Sequence, residues 1–359
     1  MLVTLSFAND AHAAAVQLHL ADRGLSSVTL FVDRLWRADS LQSGWRNGHT
    51  FPTVDDQFNE CLDQPFALWL RRPSFYVHSL PNTEKGLFAR QEWRVALDWL
   101  IAQLSGAAVA TLNPWDSLRL ARNKPAQLQA AEELGFNVPN TLISNSRSEI
   151  ARFVAEFPSV CKSFSPYAEG NGVDQRVFYT RRLSLADVNE LDPVLGVPLI
   201  VQERIEKAYE IRAAFVDGRA YCLKIPAEYE QSGSVDWREQ RFASLQCEEM
   251  ELQPETLVRC QKLLNHFSLT TASIDLIVDP QERIWFLEFN EQGNFLFVDR
   301  AHGRSSVLDA FGDLIASKLG KGDKKATACA PEAMLDRVRD LFRREADSNS
   351  FYRRLECVH

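Results

Sequence analysis

The stretch Ser273-Ile-Asp-Leu-Ile-Val-Asp-Pro-Gln-Glu-Arg-Ile-Trp-Phe-Leu-Glu-Phe-Asn290 holds the residues of this chain best suited to chemistry. It reads as two strands joined by a turn, with Asp275 on the first and Glu288 and Asn290 on the second. Side chains two apart on a strand share a face, so Glu288 and Asn290 point the same way and three oxygen donors can converge. Two carboxylates and an amide oxygen are hard ligands, suited to Mg2+, which keeps positions open for phosphate oxygens. The same spacing also suits an ordinary hairpin with its polar residues facing solvent. Two lysines weigh toward the metal. Lys162 follows the apolar run Phe157-Pro-Ser-Val160 and precedes a loop with Gly170 and Gly172, so a strand ends in a cation beside a segment that could lie over phosphates. Lys124 opens a helix. Either lysine alone reads more often as a solvated surface charge, and the loop carries no Walker pattern.

These residues need elements to position them. Residues 1–112 alternate strand (2–7, 27–32, 66–70) and helix (11–23, 88–104), a βα pattern whose parallel strands need helices on their faces. Asn113-Pro114 breaks the pattern, and a helix near 123–134 follows, with Pro125 in its first turn and Gly135 at its C-terminal cap. The next segments read as strand 140–144, helix 147–156, and strands 159–164, 175–180 and 198–203. Strands 211–216 and 219–225 flank the Asp217-Gly218 turn, and a polar stretch spans 228–246. A helix at 254–267 and paired strands at 272–278 and 283–289 complete the pattern. Few helices and many hairpins make this part α+β. After residue 320 a linker leads to Met334, Leu335, Val338, Leu341 and Phe342 at helical spacing.

The chain of 359 residues is long enough for two or three units of about 100–150 residues each. Hydrophobic residues at 45% and charged residues at 25% match a soluble globular protein, and no run approaches the roughly 18–20 apolar residues of a bilayer span. The N-terminus lacks a basic region and reads as strand, turn and helix, not as a signal peptide, so the expectation is a cytoplasmic protein with no membrane partner. Cysteines 61, 161, 222, 247, 260, 329 and 357 form no C-x-x-C pair, which argues against a disulfide framework or structural zinc. A net charge of −8 without a basic block argues against a nucleic-acid partner.

The order of features resembles the ATP-grasp superfamily. Asn123-Lys-Pro125, Lys162, Val201-Gln-Glu-Arg-Ile205, Glu210-Ile-Arg212 and the set Asp275, Glu288, Asn290 follow one another as they do in that family, over roughly residues 116–320. The resemblance implies an ATP-grasp fold: an α/β N-terminal domain (1–115), then two α+β subdomains (116–202 and 203–320), then a linker and amphipathic helix (321–359). It implies ATP and Mg2+ as cofactors. Lys124 and Lys162 would contact phosphates or base, the stretch Gln202, Glu203, Arg204 and Ile205 the adenine, Glu210 the ribose and Arg212 the transferred phosphate. Asp275, Glu288 and Asn290 would hold the metal.

The chain is similar more specifically to the microviridin-type graspetide synthetases, which close macrocycles in ribosomally made peptides. Ala8-Asn-Asp-Ala-His-Ala13, Trp69-Leu-Arg-Arg-Pro73, Leu134-Gly-Phe-Asn-Val-Pro-Asn-Thr-Leu-Ile-Ser-Asn145, Asp236-Trp-Arg238 and Phe286-Leu-Glu-Phe-Asn290 carry that similarity. It implies a precursor peptide as substrate, joined through an acylphosphate into side-chain esters or amides, and is compatible with a homodimer. Arg238 is then expected at the acyl acceptor or phosphate, with a surface arginine as the alternative. Arg71 and Arg72 either bind an acidic peptide or close a structural ion pair. Glu291, where a proline is common in the family, and Gly293-Asn-Phe295 depart from the pattern beside the metal set. A ligase for small carboxylates and a non-catalytic binding module are the competing readings.

Overall fold

In the computed structural model, the structure describes residues 1–37, 42–46, 49–53, 56–73, 83–164, 168–169, 176–177, 180–190, 196–240, 245–322, 329–345, 350 and 352–355. Three larger sheets organise them. In the first, Leu2–Ser6 lies between Ser27–Phe31 and Ala67–Leu70, with Ala110–Leu112 beyond, all parallel. Leu2–Ser6 and Ser27–Phe31 are buried at every position, as parallel strands covered on both faces must be. The helix Ala11–Asp22 links them and starts at Asp10, whose carboxylate accepts from the His12 and Ala13 amides.

The chain's end returns to this sheet. Tyr352–Leu355 pairs antiparallel with Ser27–Phe31, a strand that the sequence did not suggest. Its central residue is a charged one, Arg353, buried because it donates to both oxygens of Glu345 and to the Ala8 carbonyl. The helix before it, Pro331–Arg344, docks through Met334 and Val338.

The second sheet is antiparallel, in the order Arg181–Leu183, Ser159–Lys162, Leu199–Glu203, Thr141–Ser144. The third is antiparallel too: Glu248–Met250, Arg219–Pro226, Tyr209–Val216, Thr271–Val278, Ile284–Asn290. Period-two alternation divides its faces. Ile211, Ala213, Phe215, Ile274, Leu276 and Val278 join the core that includes Cys260 and Leu263 of the helix Pro254–His266. Glu210, Arg212 and Asp275 take the opposite face.

Among the described residues five α-helices have no counterpart in the sequence reading: Asp56–Leu62, Trp115–Ala121, Leu185–Glu190, Leu296–His302 and Ser306–Lys318. The last contributes Phe311 and Ile315 to the core under the first sheet. The expected loop glycines Gly170 and Gly172, and Cys357, lie outside the described residues. Among the described residues no helix is long and apolar enough to cross a membrane.

Asn113 joins the first sheet to the third. It adopts φ = +53°, a conformation that asparagine tolerates better than most residues. Its Nδ2 donates to the carbonyls of Thr271 (2.6 Å) and Glu291 (2.8 Å), and its Oδ1 accepts from the Thr270 (2.8 Å) and Thr271 (3.1 Å) amides. Replacing it leaves several buried backbone groups unpaired, at about 1–3 kcal/mol each. Asn113→Ala is therefore expected to lose about 3 kcal/mol or more in urea unfolding. A loss below about 1 kcal/mol would mean that water replaces the amide.

Candidate active site

The strand Ile284–Asn290 is the edge of its sheet, and what covers that edge also builds the site. Helix Lys124–Glu133 begins at Asn123, whose side chain accepts from the Ala126 amide. One turn in, the buried Gln127 amide pairs with the edge strand as another strand would. Its Nε2 donates to the Phe289 carbonyl (3.1 Å) and its Oε1 accepts from the Phe289 amide (2.9 Å). Lys124, three residues earlier on the same face, thereby meets Glu288 at 3.1 Å. Upstream, the Asn137 carbonyl accepts from the Phe286 amide (2.8 Å).

Between these two anchor points the strand bulges. Asp275 pairs with Glu288 but Leu276 pairs with Phe286, so Leu287 is an extra residue. The bulge resets the alternation. Phe286 and Phe289, three apart, both enter the core against Phe136 and Phe267, while Leu287, Glu288 and Asn290 all line one cavity. The sequence-based expectation that Glu288 and Asn290 share a face therefore matches the observed placement, and Asp275 is directly opposite Glu288.

The cavity, of about 240 Å³, is lined from the second and third sheets. Of the residues singled out in the sequence, Lys162, Gln202, Glu203, Arg204, Ile205, Glu210, Arg212, Arg238, Asp275, Glu288 and Asn290 line it. Lys124 stands behind Glu288. Lys162 ends its strand as expected and donates to Gln202 Oε1 (2.8 Å), while Gln202 Nε2 donates to Thr141 (3.0 Å), so the buried Gln202 amide aims the lysine. Arg212 donates through Nη1 to both oxygens of Asp275 (2.7 and 2.6 Å) and lies over the Phe297 ring. Arg238 grips Asp236 with two parallel bonds (2.8 and 2.6 Å).

Sequence reasoning missed a second cluster. Lys207 Nζ donates to Glu210 Oε1 (2.8 Å), to the Tyr229 hydroxyl (2.8 Å) and to the Val235 carbonyl (2.9 Å). Tyr229 donates in turn to Glu210, and Arg204 pairs with Glu230 at 2.7 Å. Lys207 reads as one more exposed lysine in a polar linker. Only its place three residues before Glu210 on a buried strand could have marked it.

The charges set one another's protonation. Burial pushes the Glu288 carboxyl up, but Lys124, Lys162 and Arg238 hold it down at about 2. Burial and the facing Glu288 raise Asp275, with Arg212 working against the rise. Burial lowers the Lys162 ammonium, opposed by Glu288. Among the described residues no group of three or more His, Cys, Asp or Glu forms a metal cage. The donors present are two carboxylates and an amide, with Asn290 Nδ2 3.4 Å from Asp275 Oδ2. That set fits Mg2+, which is satisfied by one or two carboxylates when phosphates supply other ligands.

Arg71 does not reach the cavity. It is fully buried, with Nε 3.1 Å from Asp10 Oδ2 and its other nitrogens on the Gln292 carbonyl and Asn294. It offers no surface to a peptide, which corrects the substrate expectation and leaves the structural ion pair. Arg72 shares Asp10 at 3.4 Å. The departure at Glu291 is structural as well: its carboxylate accepts from Arg122 Nε at 2.8 Å.

No protein-family profile matches the chain, and no curated protein matches it in sequence. Solved structures do. The macrocyclase MdnC of Microcystis aeruginosa, bound with precursor peptide MdnA, superposes with a TM-score of 0.71 at 23% identity, over 88% of this chain and 100% of that one. A RiPP-associated ATP-grasp ligase of Chryseobacterium gregarium, in complex with ADP and a leader and core peptide, gives 0.73 at 22% identity, over 91% and 99%. The chain has the ATP-grasp fold. The ATP-grasp ligase PsnB, complexed with a precursor variant, Mg and ADP, aligns at a TM-score of 0.69 and 20% identity over 89% of this chain and 98% of that one. The ATP-grasp fold thus spans nearly the whole of each matched chain.

Glu288 links this geometry to pH. Its folded pKa lies below the ordinary 4.5, so its ionised form stabilises the fold fully above about pH 4.5. That contribution disappears as pH falls through about 2. Removing Lys124 removes one of the cations that depress it. Lys124→Ala is expected to lose thermal stability at a higher pH than the parent on acidification, read as Tm against pH. Superimposable profiles would show that the pair contributes nothing.

Proposed function

We propose that this protein is an ADP-forming, ATP-dependent ligase that closes side-chain ester or amide crosslinks in a ribosomally made precursor peptide through an acylphosphate. The observation that carries the reading is the cavity itself, where a carboxylate pair and an amide stand beside four cations, Lys124, Lys162, Arg212 and Arg238. The fold neighbours solved with ADP, Mg or precursor peptides support it.

In this reading the chemistry is mainly a problem of bringing anions together. A peptide carboxylate oxygen forms a bond to the γ-phosphorus, the bond from that phosphorus to the β,γ-bridging oxygen breaks, and ADP leaves with the electron pair. A hydroxyl or amine of the same peptide then attacks the acyl carbon and releases phosphate. Lys162, aimed by Gln202, lies on phosphate oxygens. The stretch Glu203 to Ile205 holds the adenine and Glu210, braced by Lys207 and Tyr229, the ribose. Arg212 exchanges Asp275 for the transferred phosphate, and Arg238, fixed by Asp236, faces the phosphate side. Asp275, Glu288 and Asn290 would hold Mg2+, which supplies counter-charge for the phosphates when bound. The enclosing lobes keep water from the acylphosphate.

A ligase for small carboxylates is the second reading, because D-cycloserine synthetase DcsG also aligns, at a TM-score of 0.55 and 13% identity. Product mass separates the two. Each ring closed by this route removes one water, so the peptide is expected to lose about 18 Da per ring as ATP becomes ADP. A mass gain equal to an added amino acid would favour the small-molecule ligase.

Two variants test the machinery. Glu288→Gln removes an anionic ligand and is expected to cut peptide-dependent ADP release about 100-fold or more with the fold retained. Near-parental turnover would refute the metal assignment. Lys162→Ala is expected to weaken binding of a non-hydrolysable ATP analogue about tenfold or more in calorimetry, with little change in Tm. An unchanged Kd would leave Lys162 only its bond to Gln202.

A further inference from the structure

The turn after the metal-ligand strand brings one more polar side chain to the cavity. The Gly293 amide donates to the Asn290 carbonyl (3.1 Å), which folds the chain back so that the Asn294 carbonyl accepts from Ser273 Oγ (3.2 Å). Ser273 is the register partner of Asn290 and lies two residues before Asp275 on the same strand face. Asn294 is held from the other side too. His12 Nε2 accepts from the Phe295 (3.1 Å) and Leu296 (3.3 Å) amides, which requires a neutral ring. Burial and the nearby Arg71 keep His12 in that form.

The amide of Asn294 has a defined orientation. Arg71 Nη2 stands 2.6 Å from it, and a guanidinium only donates, so the atom facing Arg71 is Oδ1. Nδ2 is therefore turned away from Arg71. Asn294 lines the cavity, and among the described residues its Nδ2 donates to no protein acceptor. Arg71 itself is pinned by Asp10, whose carboxylate also accepts from Ser6 Oγ (2.7 Å). The first sheet thus delivers one oriented, neutral N–H donor to a cavity whose other side-chain amides, Gln202 and Asn290, donate to Thr141 and Asp275. Phe297, three residues on, lines the same cavity beneath Arg212 and against Trp237.

We propose that Asn294 is a substrate-binding residue whose Nδ2, aimed by Arg71 as positioning residue, donates to the side-chain carboxylate that is to be activated. The proposal deepens the ligase reading and rests on it for the identity of that carboxylate. A neutral donor suits the task. It fixes one carboxylate oxygen and leaves the other free to attack, whereas a cation at that point would pair with the nucleophile and withdraw its charge. Arg212 and Arg238 lie on the same cavity and would meet the phosphate side.

The test uses the full chain loaded with Mg-ADP and titrated with N-acetylglutamate N-methylamide, a probe with one side-chain carboxylate. The expected result is a shift of the Asn294 side-chain amide resonance in 15N-labelled protein as the probe saturates. Asn294→Asp keeps an acceptor for Arg71 but turns a carboxylate oxygen toward the probe. It is expected to retain the parental Tm and Mg-ADP affinity and to bind the probe at least about tenfold more weakly. Arg71→Lys, which loses the fork, should weaken probe binding in the same direction without altering Mg-ADP affinity. A saturating titration that leaves the Asn294 resonance in place, or equal probe affinity in parent and Asn294→Asp, would overturn the proposal. Absence of Mg-ADP binding in the parent would instead overturn the ligase reading. The same resonance, followed in the nucleotide-free protein, would still decide the role of Asn294.

Discussion

Two carboxylates, Asp275 and Glu288, face each other across adjacent strands inside a cavity, and much of the surrounding structure serves to make that tolerable. A buried carboxylate without a counter-charge costs several kcal/mol, and two in register repel each other as well. Arg212 meets Asp275 from the neighbouring strand, where the register leaves it no other place, and Lys124 meets Glu288 from a helix. Both cations are therefore fixed by backbone pairing as much as by their own charge.

That arrangement depends on the edge strand keeping its bulge. Gln127 and Asn137 satisfy the backbone of Ile284–Asn290 on either side of Leu287, and Phe286 and Phe289 anchor both halves in the core. Without the bulge, strict alternation would turn Phe286 and Phe289, three residues apart, to opposite faces. The two neighbouring lobes are joined through the same strand. Asn113, Arg122 and Arg71 all contact residues 291–294, so the first sheet holds the end of the strand Ile284–Asn290 although its main chain lies outside the cavity.

The departures from the family pattern at Glu291 and Gly293-Asn-Phe295 acquire a physical meaning in this setting. Glu291 takes an arginine partner that a proline could not, and Asn294 accepts from Arg71 while its own N–H groups stay available. His12, at the start of the helix Ala11–Asp22, caps the turn that follows by accepting from the Phe295 and Leu296 amides. Residues that are far apart in the chain thus form one support, and the support ends in the cavity.

The sequence by itself determined the alternation of the third sheet, the hairpin that carries Asp275, Glu288 and Asn290, and the strand ending in Lys162. Each is written in short-range periodicity, in turn residues such as Asp217-Gly218, or in an ordered set of motifs. Tertiary structure alone decided the rest. The bulge at Leu287 has no local signature, because its cause is the pairing of Gln127 and Asn137 from another segment. Lys207 looks like any exposed lysine until Glu210, Tyr229 and the Val235 carbonyl surround it. Arg71 reads as either a peptide ligand or half of an ion pair until burial assigns its nitrogens to Asp10, Gln292 and Asn294. Tyr352–Leu355 hides its strand behind Arg353, which is buried only because Glu345 neutralises it. A buried charge is recognisable only with its partner, and partners distant in sequence are set by the fold.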